Sequence, residues 1–293
     1  MSLRLPQLLM IGAMKCGTTG VFFDLCRHPG MFLPENKEPH ALRLDKVLTP
    51  DGLREYAACY ERARPDQILC DASTGYSKRP DFPGVVERAL QVLPEGFRVI
   101  YVVRDPVARI VSHHFHEYIE GRVSADIDEV VRNDPRFLNY SRYGYQLEPW
   151  MEAIGPDRIR IVRFEDYTAH RRGTIEQLCE FVGLDPSQLG TIDTTVHNRN
   201  DGKPIINSFW RRFQGSAFYR LGVRPLVSLR LRAVLQKLIL PKAPSRPPAP
   251  PEETVAWIRA QLAEDVAHIS RLAGRDEPLW SGYHSDASRP IST

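Results

Sequence analysis

The sequence predicts an α/β fold of three layers, with a central parallel sheet flanked by helices. Four short apolar runs have the length and composition of strands. The first and third runs lack polar alternation, as expected for strands that are covered on both faces. Helix-like stretches follow the first, third and fourth runs, so strand and helix alternate along the chain.

The predicted strands place four loops at one edge of the sheet. The strands are expected, in chain order, over residues 8–11, 67–71, 98–103 and 159–164. The helices after the first, third and fourth strands are expected over residues 18–26, 107–119 and 173–182. Ligands of such sheets bind at the carboxyl ends of the strands. We therefore expect one site to be lined by the loops that begin at Gly12, Asp71, Arg104 and Glu165.

The organisation of the chain indicates a single domain over residues 1–293. Its expected parts are a core over 1–200, a basic helical segment over 205–243, a Pro-rich spacer over 244–251 and a C-terminal helix over 252–274. Apolar residues recur at helical spacing along that last helix, which predicts that it docks on the core. Gly274 is a normal stop for it.

Composition limits the classes of protein to consider. A hydrophobic content of 42% and a charged content of 26% are those of a globular protein. No apolar run approaches the ~18 residues that span a bilayer, and the first residues lack the pattern of a signal peptide, so we expect a cytoplasmic location. The five cysteines form no C-x-x-C pair, which argues against a zinc site or a disulfide framework.

Charge is unevenly distributed, although the net charge is only +3. Residues 202–251 contain ten Lys or Arg and no Asp or Glu, which favours an anionic partner. The stretch 210–242 is a candidate for peripheral contact with an anionic membrane or for a wall that recognises an anionic or lipidic ligand. The alternative is an amphipathic helical hairpin that packs on the core and exposes its basic face.

The most informative stretch is residues 12–20, which read GAMKCGTTG between a predicted strand and a predicted helix. Glycine lets a backbone approach a phosphate closely. The N–H groups of Gly17, Thr18 and Thr19 would point out of the helix N-terminus, where the helix dipole favours an anion, and Lys15 adds a point charge. The spacing resembles the P-loop of nucleoside triphosphatases, which predicts a P-loop-like fold, but here the lysine lies inside the loop.

A second anion-binding segment follows the third predicted strand and reads RDPVARIVSHH over residues 104–114. Pro106 is a normal helix opener. It places Arg104 at the carboxyl end of the strand and Ser112 about two helical turns further on. A charge-assisted pair between arginine and phosphate supplies both energy and geometry.

These two segments carry a resemblance to PAPS-dependent sulfotransferases, PAPS being 3'-phosphoadenosine 5'-phosphosulfate. The K-x-G-T-T of the first loop resembles their 5'-phosphosulfate loop, and the pattern R-[DN]-P-x-x-R-x-x-S resembles their 3'-phosphate segment. Nearly the whole chain is similar to bacterial members related to the sulfotransferase domains that act on heparan sulfate. The further similar segments are 37–40, 71–76, 143–150, 163–166 and 272–280.

Two departures from the family pattern concern the acceptor side. Ala41 and Leu42 stand where aromatic residues often follow the histidine of the K-E-P-H segment. Asp71 and Ala72 stand where many relatives have Glu-Lys. Both departures leave the predicted nucleotide segments unchanged.

The resemblance implies transfer of a sulfuryl group from PAPS to a hydroxyl or amine of a carbohydrate or natural-product acceptor, which leaves adenosine 3',5'-bisphosphate. The expected partner is a small-molecule, carbohydrate or lipid-linked acceptor. No metal ion is expected to be required, and no nucleic-acid-binding module is evident. The residues implied to bind the nucleotide are Lys15, Cys16, Gly17, Thr18, Thr19, Gly20, Arg104, Ser112, Arg199 and Lys203. Cys16 is also expected to be a small buried filler.

The predicted catalytic residues are Lys15, Glu38 and His40. Lys15 would stabilise negative charge on the departing 5'-phosphate. By resemblance Glu38 is the general base, and we expect burial to raise its pKa toward the working pH. His40 is the second choice for the base, and Lys37 and Ser73 are candidates for orienting the acceptor or the sulfate.

Two other functions stay open from the residues alone. A nucleoside or small-molecule kinase with a divergent P-loop would need ATP and magnesium. A protein that binds membrane surfaces or nucleic acid would depend on the basic stretch and show salt-dependent binding. His113, His114 and His116 are spaced like metal ligands, but they follow the 3'-phosphate motif, where packing is the simpler interpretation.

Overall fold

A computed structural model of the chain describes residues 3–192 and 249–283. Arg199, Lys203, the basic segment 205–243 and most of the spacer lie outside the described residues, so the predictions made for them stay predictions. Within the described part, no helix has both the length and the apolar character needed to cross a bilayer.

The centre of the described structure is a sheet of four parallel strands in the order β2-β1-β3-β4. The strands are β1 Leu8–Gly12, β2 Cys70–Asp71, β3 Arg98–Val103 and β4 Ile159–Arg163. Leu8 of β1 lies opposite Cys70 of β2 on one side and Arg98 of β3 on the other. Helices flank the sheet, so the predicted α/β fold is confirmed.

The second strand is shorter than the predicted span 67–71, because only its last two residues pair with β1. Before them, Ile68 forms an isolated parallel bridge with Met31. The Ile68 N–H donates to the Gly30 carbonyl at 2.8 Å, and the Phe32 N–H donates to the Ile68 carbonyl at 3.0 Å. An apolar run signals an extended conformation but does not specify the partner, so this division could not be predicted.

Ten α-helices occur in the described part. They are α1 Thr18–Leu25, α2 Pro50–Ala58, α3 Val85–Val92, α4 Pro106–Ile119, α5 Ile127–Asn133, α6 Arg136–Asn139, α7 Tyr143–Ile154, α8 Phe164–Ala169, α9 Arg171–Val182 and α10 Glu252–Leu272. The helices that the sequence predicted are α1, α4, α9 and α10, each within two residues of its expected bounds. Short 3-10 turns connect several elements, among them Ala41–Arg43 and Thr74–Ser77.

The core is built on the two central strands. All residues of β1 are buried, and in β3 only the first residue is exposed. The uninterrupted apolar sequence of these strands is therefore explained by cover on both faces. The C-terminal helix α10 contributes Ile258, Leu262, Val266 and Ile269, each 0% exposed, and so docks through the apolar face that its spacing predicted.

The chain divides into two compact units. The described residues of the first unit fall within Met1–Arg109, Leu138–His197 and Trp257–Thr293, and those of the second within Ile110–Phe137 and Asn198–Ala256. The sheet belongs to the first unit.

In the second unit the His113 ring centre lies 4.3 Å from that of Phe137, and His114 stacks on Tyr118, so both histidines are packing residues. Across residues 3–192 and 249–283, no group of three His, Cys, Asp or Glu side chains is arranged to hold a metal ion.

Candidate active site

The carboxyl ends of the strands carry loops that contact one another along one edge of the sheet, as predicted. The loop after β2 contacts the end of β1 through Ser77, whose hydroxyl donates to the Ile11 carbonyl at 2.8 Å. The loop after β3 contacts the residues after β4 through Asp105, whose N–H donates to Glu165 Oε1 at 2.9 Å. A third contact, between Arg104 after β3 and the Lys15 carbonyl oxygen after β1, joins these two pairs of loops into a continuous rim.

The loop between β1 and α1 has the geometry of an anion cradle. Gly17 caps α1 with a left-handed backbone of φ 84°. Thr18 and Thr19 then open the helix, where backbone N–H groups have no partner inside the helix. Lys15 also has a positive φ of 71°. Such a backbone costs a non-glycine residue roughly 1–2 kcal/mol and is characteristic of functional turns.

Buried side chains hold this loop in position. Cys16 is 0% exposed, and its Sγ lies 3.4 Å from the Tyr143 hydroxyl oxygen. Burial raises the pKa of the Cys16 thiol to about 11, so the thiol is a neutral filler, as predicted. Gly20 packs against the Tyr167 ring and hydroxyl, and that hydroxyl donates to the buried Asp24 carboxylate at 2.6 Å. The start of α1 is thereby fixed from its covered side.

Arg104 stands beyond the end of β3 and beside the same loop. Its Nη1 lies 3.5 Å from the Lys15 carbonyl oxygen, and its guanidinium carbon lies 4.9 Å from the centre of the Phe164 ring. The same ring also contacts Gly17, where a Cβ would lie 2.5 Å from two ring carbons. Phe164 therefore contacts both segments that were predicted to bind the nucleotide. The Arg104 carbonyl also accepts from the Tyr143 hydroxyl at 2.8 Å.

The turn that carries Arg104 is fixed by neighbouring carboxylates and by the C-terminal segment. Asp105 Oδ1 accepts from a backbone N–H in the first turn of α4 at 2.8 Å, and its Oδ2 accepts from the Tyr283 hydroxyl at 3.1 Å. Glu165 accepts the Asp105 N–H through one oxygen and the Trp280 indole N–H, at 3.1 Å, through the other. Asp105 caps the start of α4, and both oxygens of Asp105 and of Glu165 accept hydrogen bonds, so the turn that carries Arg104 is held in one conformation.

The remaining predicted nucleotide residues are placed only in part. Ser112 lies on α4, about two turns beyond Arg104, where it is half-buried and belongs to the second unit. Arg199 and Lys203 are outside the described residues. The structure therefore brings together Lys15, the start of α1 and Arg104, while the nucleotide-binding roles of these and of the other predicted residues stay predictions.

Glu38 lies in a loop that packs on the residues after β2, and three groups surround its carboxylate. Oε1 lies 2.7 Å from Lys37 Nζ, Oε2 lies 3.4 Å from His40 Nε2, and Oε2 accepts from the Thr74 hydroxyl at 3.1 Å. Burial acts to raise the pKa of Glu38, but the interactions with Lys37, His40 and Thr74 together outweigh it and lower the pKa from 4.5. The prediction that the pKa of Glu38 is raised toward the working pH is therefore wrong, and the group is ionised at neutral pH.

His40 is neutral although it lies beside a carboxylate. Burial lowers the pKa of His40 from 6.5, and the positive charges of Arg43 and Lys78 lower it further, against the opposing effect of Glu38. The ring packs against Gly75, where a Cβ would lie 3.1 Å from His40 Nδ1. Its backbone has a φ of 56°, so His40, like Lys15, occupies the left-handed region.

Beneath these side chains lies a buried polar cluster at the end of β2. Ser73 is 0% exposed, and its hydroxyl donates to Asp71 Oδ1 at 2.5 Å and accepts from the His40 N–H at 2.9 Å. The prediction that Ser73 orients an acceptor or the sulfate is therefore wrong, because its hydroxyl is buried and engaged within the protein. Asp71 is also 0% exposed and accepts further hydrogen bonds from the hydroxyls of Tyr56 and Tyr76.

One 3-10 turn, Thr74–Ser77, joins the two regions that were predicted to be catalytic. At its first residue the Thr74 hydroxyl binds Glu38, and at its last the Ser77 hydroxyl binds the β1 carbonyl that precedes Gly12. A Cβ at Gly12 would overlap the Ser77 hydroxyl, so this contact requires glycine. The predicted base and the predicted phosphate loop are thus held by one short piece of chain.

Several residues that shape the site were missed as functional residues by sequence reasoning. Phe164, Tyr143 and Thr74 lie in the similar segments 163–166, 143–150 and 71–76, but the sequence assigned none of them a role. The available signal for Phe164 was its place directly after β4, at the same sheet edge as the phosphate loop. Tyr143 and Thr74 gave no such signal, because their partners are distant in sequence.

Residues 37–188, just over half of the chain, match a family model described as the Sulfotransferase family. The matched range includes Glu38, His40 and Arg104. A solved structure, a sulfotransferase from Alicyclobacillus acidocaldarius, is similar with a TM-score of 0.65 and 18% identity, over 94% of this chain and 98% of that one. At this level of identity the likeness shows the fold alone.

Two curated relatives are similar in sequence. Human carbohydrate sulfotransferase 15 is 21% identical, over 62% of this chain and 44% of its own length. Mouse heparan sulfate glucosamine 3-O-sulfotransferase 3B1 is 24% identical, over 70% of this chain and 52% of its own length. The chain thus spans about half the length of these relatives. With a family match over more than half of its length and a fold that agrees with it, the chain belongs to the Sulfotransferase family.

Proposed function

We propose that the chain transfers a sulfuryl group from PAPS to a hydroxyl or amine of a carbohydrate or natural-product acceptor. The observation that carries the proposal is the arrangement of the rim. An anion cradle with Lys15 and an ionised Glu38 are held at the two ends of the Thr74–Ser77 turn. The names of the curated relatives support a carbohydrate among the acceptor classes.

The residues present fit a nucleotide that carries anionic groups at both ends. The loop after β1 offers a lysine, two threonines and a helix N-terminus, and at Gly17 it has no room for a side chain. Arg104, after β3, offers a guanidinium suited to a second phosphate. When bound, PAPS would supply the activated sulfuryl group. The contact of Phe164 with both segments supports their acting on one molecule.

Lys15 would act on the leaving group. Sulfuryl transfer resembles phosphoryl transfer, in which positioning and charge stabilisation do most of the work. A cation held inside the loop can stabilise charge that develops on the departing 5'-phosphate, and one such donor is commonly worth ~10²–10³-fold in rate. The backbone of Lys15 lies in the left-handed region, with φ 71°, a strain of the kind that is found at functional turns.

Glu38 would take the proton of the acceptor. Its carboxylate is ionised because Lys37, His40 and Thr74 stabilise the charge, so it is ready to accept a proton at neutral pH. The same contacts fix its orientation. His40 is the second candidate for the base, since its neutral ring can also accept a proton. Positive charge near this pair, from Lys37, Arg43 and Lys78, suits an acceptor that is itself anionic.

The kinase alternative is not favoured by the loop. In the P-loop of nucleoside triphosphatases the lysine follows the second glycine, whereas here Thr18 has that position and Lys15 lies two residues before Gly17. The membrane-surface alternative, and any membrane contact of residues 210–242, concerns residues outside the described part and stays a prediction.

The test is transfer of labelled sulfate from PAPS to a panel of saccharides and natural products, with and without Lys15→Ala. Lys46→Ala is the matched control, because Lys46 is an exposed lysine paired with Glu55. We expect Lys15→Ala to lower transfer by ~10²-fold or more and Lys46→Ala to leave it unchanged. Transfer from ATP with magnesium, and none from PAPS, would refute the proposed function.

A further inference from the structure

The buried carboxylate of Asp71 has a role that the mechanism above does not use. Its two oxygens accept four hydrogen bonds: Oδ2 from the hydroxyls of Tyr56 and Tyr76, at 2.7 and 2.6 Å, and Oδ1 from the N–H and hydroxyl of Ser73, at 3.1 and 2.5 Å. The three hydroxyl side chains belong to α2 and to the loop after β2. We refer to Asp71 with these three hydroxyls as the Asp71 network.

Two of the three hydroxyls accept a hydrogen bond from the loop that carries Glu38 and His40. Ser73 Oγ accepts from the His40 N–H at 2.9 Å, and the Tyr76 hydroxyl accepts from the Leu42 N–H at 3.2 Å. Each hydroxyl has a single proton, and an ionised carboxylate can only accept. Because each of these two hydroxyls donates its only proton in a hydrogen bond to Asp71, its oxygen lone pairs are left to accept from the backbone N–H groups of the loop.

This arrangement acts where the loop is strained. His40 has a left-handed backbone of φ 56°, which a non-glycine residue holds only when its surroundings impose it. The bond to the His40 N–H lies just before the 3-10 turn Ala41–Arg43, and the bond to the Leu42 N–H lies within that turn. Further back, the N–H of Ala72 donates to the Lys37 carbonyl at 3.1 Å, and Lys37 Nζ donates to the Ala72 carbonyl at 3.2 Å.

We infer that Asp71 is a positioning residue for sulfuryl transfer, since it orients the Ser73 and Tyr76 hydroxyls that hold residues 40–42 and thereby places His40 and Glu38. The inference rests on the proposed function. It assigns Asp71 no contact with either substrate, because the side chain is completely buried. The positioning role also explains why an aspartate stands at the end of β2. An ionised carboxylate only accepts hydrogen bonds and so fixes the direction of the hydroxyl protons, whereas a neutral asparagine, which can also donate, would not.

Two tyrosines of the Asp71 network allow a matched pair of variants. Tyr76→Phe and Tyr56→Phe each remove one hydroxyl that donates to Asp71 Oδ2, and both tyrosines are about 2% exposed. Only the Tyr76 hydroxyl also accepts from the loop, at Leu42. A purely structural network predicts that kcat and the His40 titration are the same in both variants, whereas a positioning role predicts that they change in Tyr76→Phe alone.

The experiment measures kcat and KM for transfer from PAPS, the melting temperature, and the His40 pKa by NMR in the protein without ligands. We expect a larger fall in melting temperature for Tyr76→Phe, because this variant also leaves the Leu42 N–H without its acceptor. Tyr76→Phe should lower kcat about tenfold or more with an unchanged KM for PAPS, since small displacements of a reacting group cost up to ~10²-fold. In that variant the His40 pKa should move toward its ordinary value. Tyr56→Phe should leave both kcat and the His40 pKa nearly unchanged.

Ser73→Ala is the second variant, because it removes the acceptor of the His40 N–H while leaving both tyrosines in place. It should reproduce the effects of Tyr76→Phe on kcat and on the His40 pKa. Equal kcat values and equal His40 titrations in Tyr76→Phe and Tyr56→Phe would overturn the positioning role. Absence of any sulfuryl transfer by the unmodified protein would instead refute the proposed function, while the NMR titrations would still decide whether the network places His40.

Discussion

Replacing Gly17 by alanine tests the close packing on which the anion cradle depends. The added Cβ would lie 2.5 Å from two carbons of the Phe164 ring, well inside the ~3.5–4.0 Å of normal carbon contacts. Overpacking of this kind costs about 1–3 kcal/mol. The left-handed backbone of Gly17, with φ 84°, adds roughly 1–2 kcal/mol for any residue with a Cβ. We therefore expect the free energy of unfolding to fall by about 2–5 kcal/mol.

Gly183→Ala separates the two contributions. Gly183 ends α9 with φ 82° and ψ 24°, close to the φ 84° and ψ 13° of Gly17, and a Cβ there would meet no atom within 4 Å. This variant should therefore lose only the backbone contribution of roughly 1–2 kcal/mol. The difference between the two variants, about 1–3 kcal/mol, measures the contact of residue 17 with the ring.

The assay is urea unfolding of both variants, with calorimetric titration of adenosine 3',5'-bisphosphate. Displacement of the Phe164 ring should also disturb Arg104, which lies 4.9 Å from the ring centre, so the Kd of Gly17→Ala should rise at least tenfold, about 1.4 kcal/mol. Gly183→Ala should bind normally. In a double variant with Phe164→Leu, part of the lost stability should return, because neighbouring substitutions couple. Equal losses of stability and equal affinities in the two glycine variants would refute the reasoning.

Two further predictions concern pH. Because the pKa of Asp71 is raised to about 6, kcat/KM should first fall as Asp71 is protonated and no longer fixes the Ser73 and Tyr76 hydroxyls; because the pKa of Glu38 lies below 4.5, protonation of the proposed base should lower kcat/KM again only below the ordinary glutamate range. In Asp71→Asn the first decline should be absent, and a decline between the ordinary glutamate and histidine values that persists in this variant would assign the base to His40. Burial raises the pKa of Asp71 from 3.8 to about 6, so its contribution to the free energy of unfolding is fully present below about pH 4 and is lost as pH rises through about 6, a change of about 3 kcal/mol. Urea titrations should show that the unmodified protein loses about 3 kcal/mol of stability relative to Asp71→Asn as pH rises from about 4 to about 6. A stability difference between the two proteins that does not change with pH would contradict this prediction.

The fold was largely predictable because its signals are local. The continuous apolar runs of β1 and β3 predicted strands buried on both faces, and Pro106 marked the start of α4. The rule that ligands bind at the carboxyl ends of parallel strands then brought Gly12, Asp71, Arg104 and Glu165 to one rim. The extent of β2 was not predictable, because the choice between β1 and the segment around Met31 depends on packing.

The sequence by itself determined the groups that can carry charge and the turns that present them: Lys15 within a glycine-bounded loop, Arg104 beyond a strand, and Glu38 in a loop of its own. Only the tertiary structure decided the hydrogen-bond partners, the burial and therefore the pKa values of those groups. The pKa of Glu38 is lowered because Lys37 and Thr74 outweigh burial, and Ser73 is turned inward by Asp71. Electrostatic energies depend on distances of a few ångströms between residues far apart in the chain, and no local pattern encodes those distances.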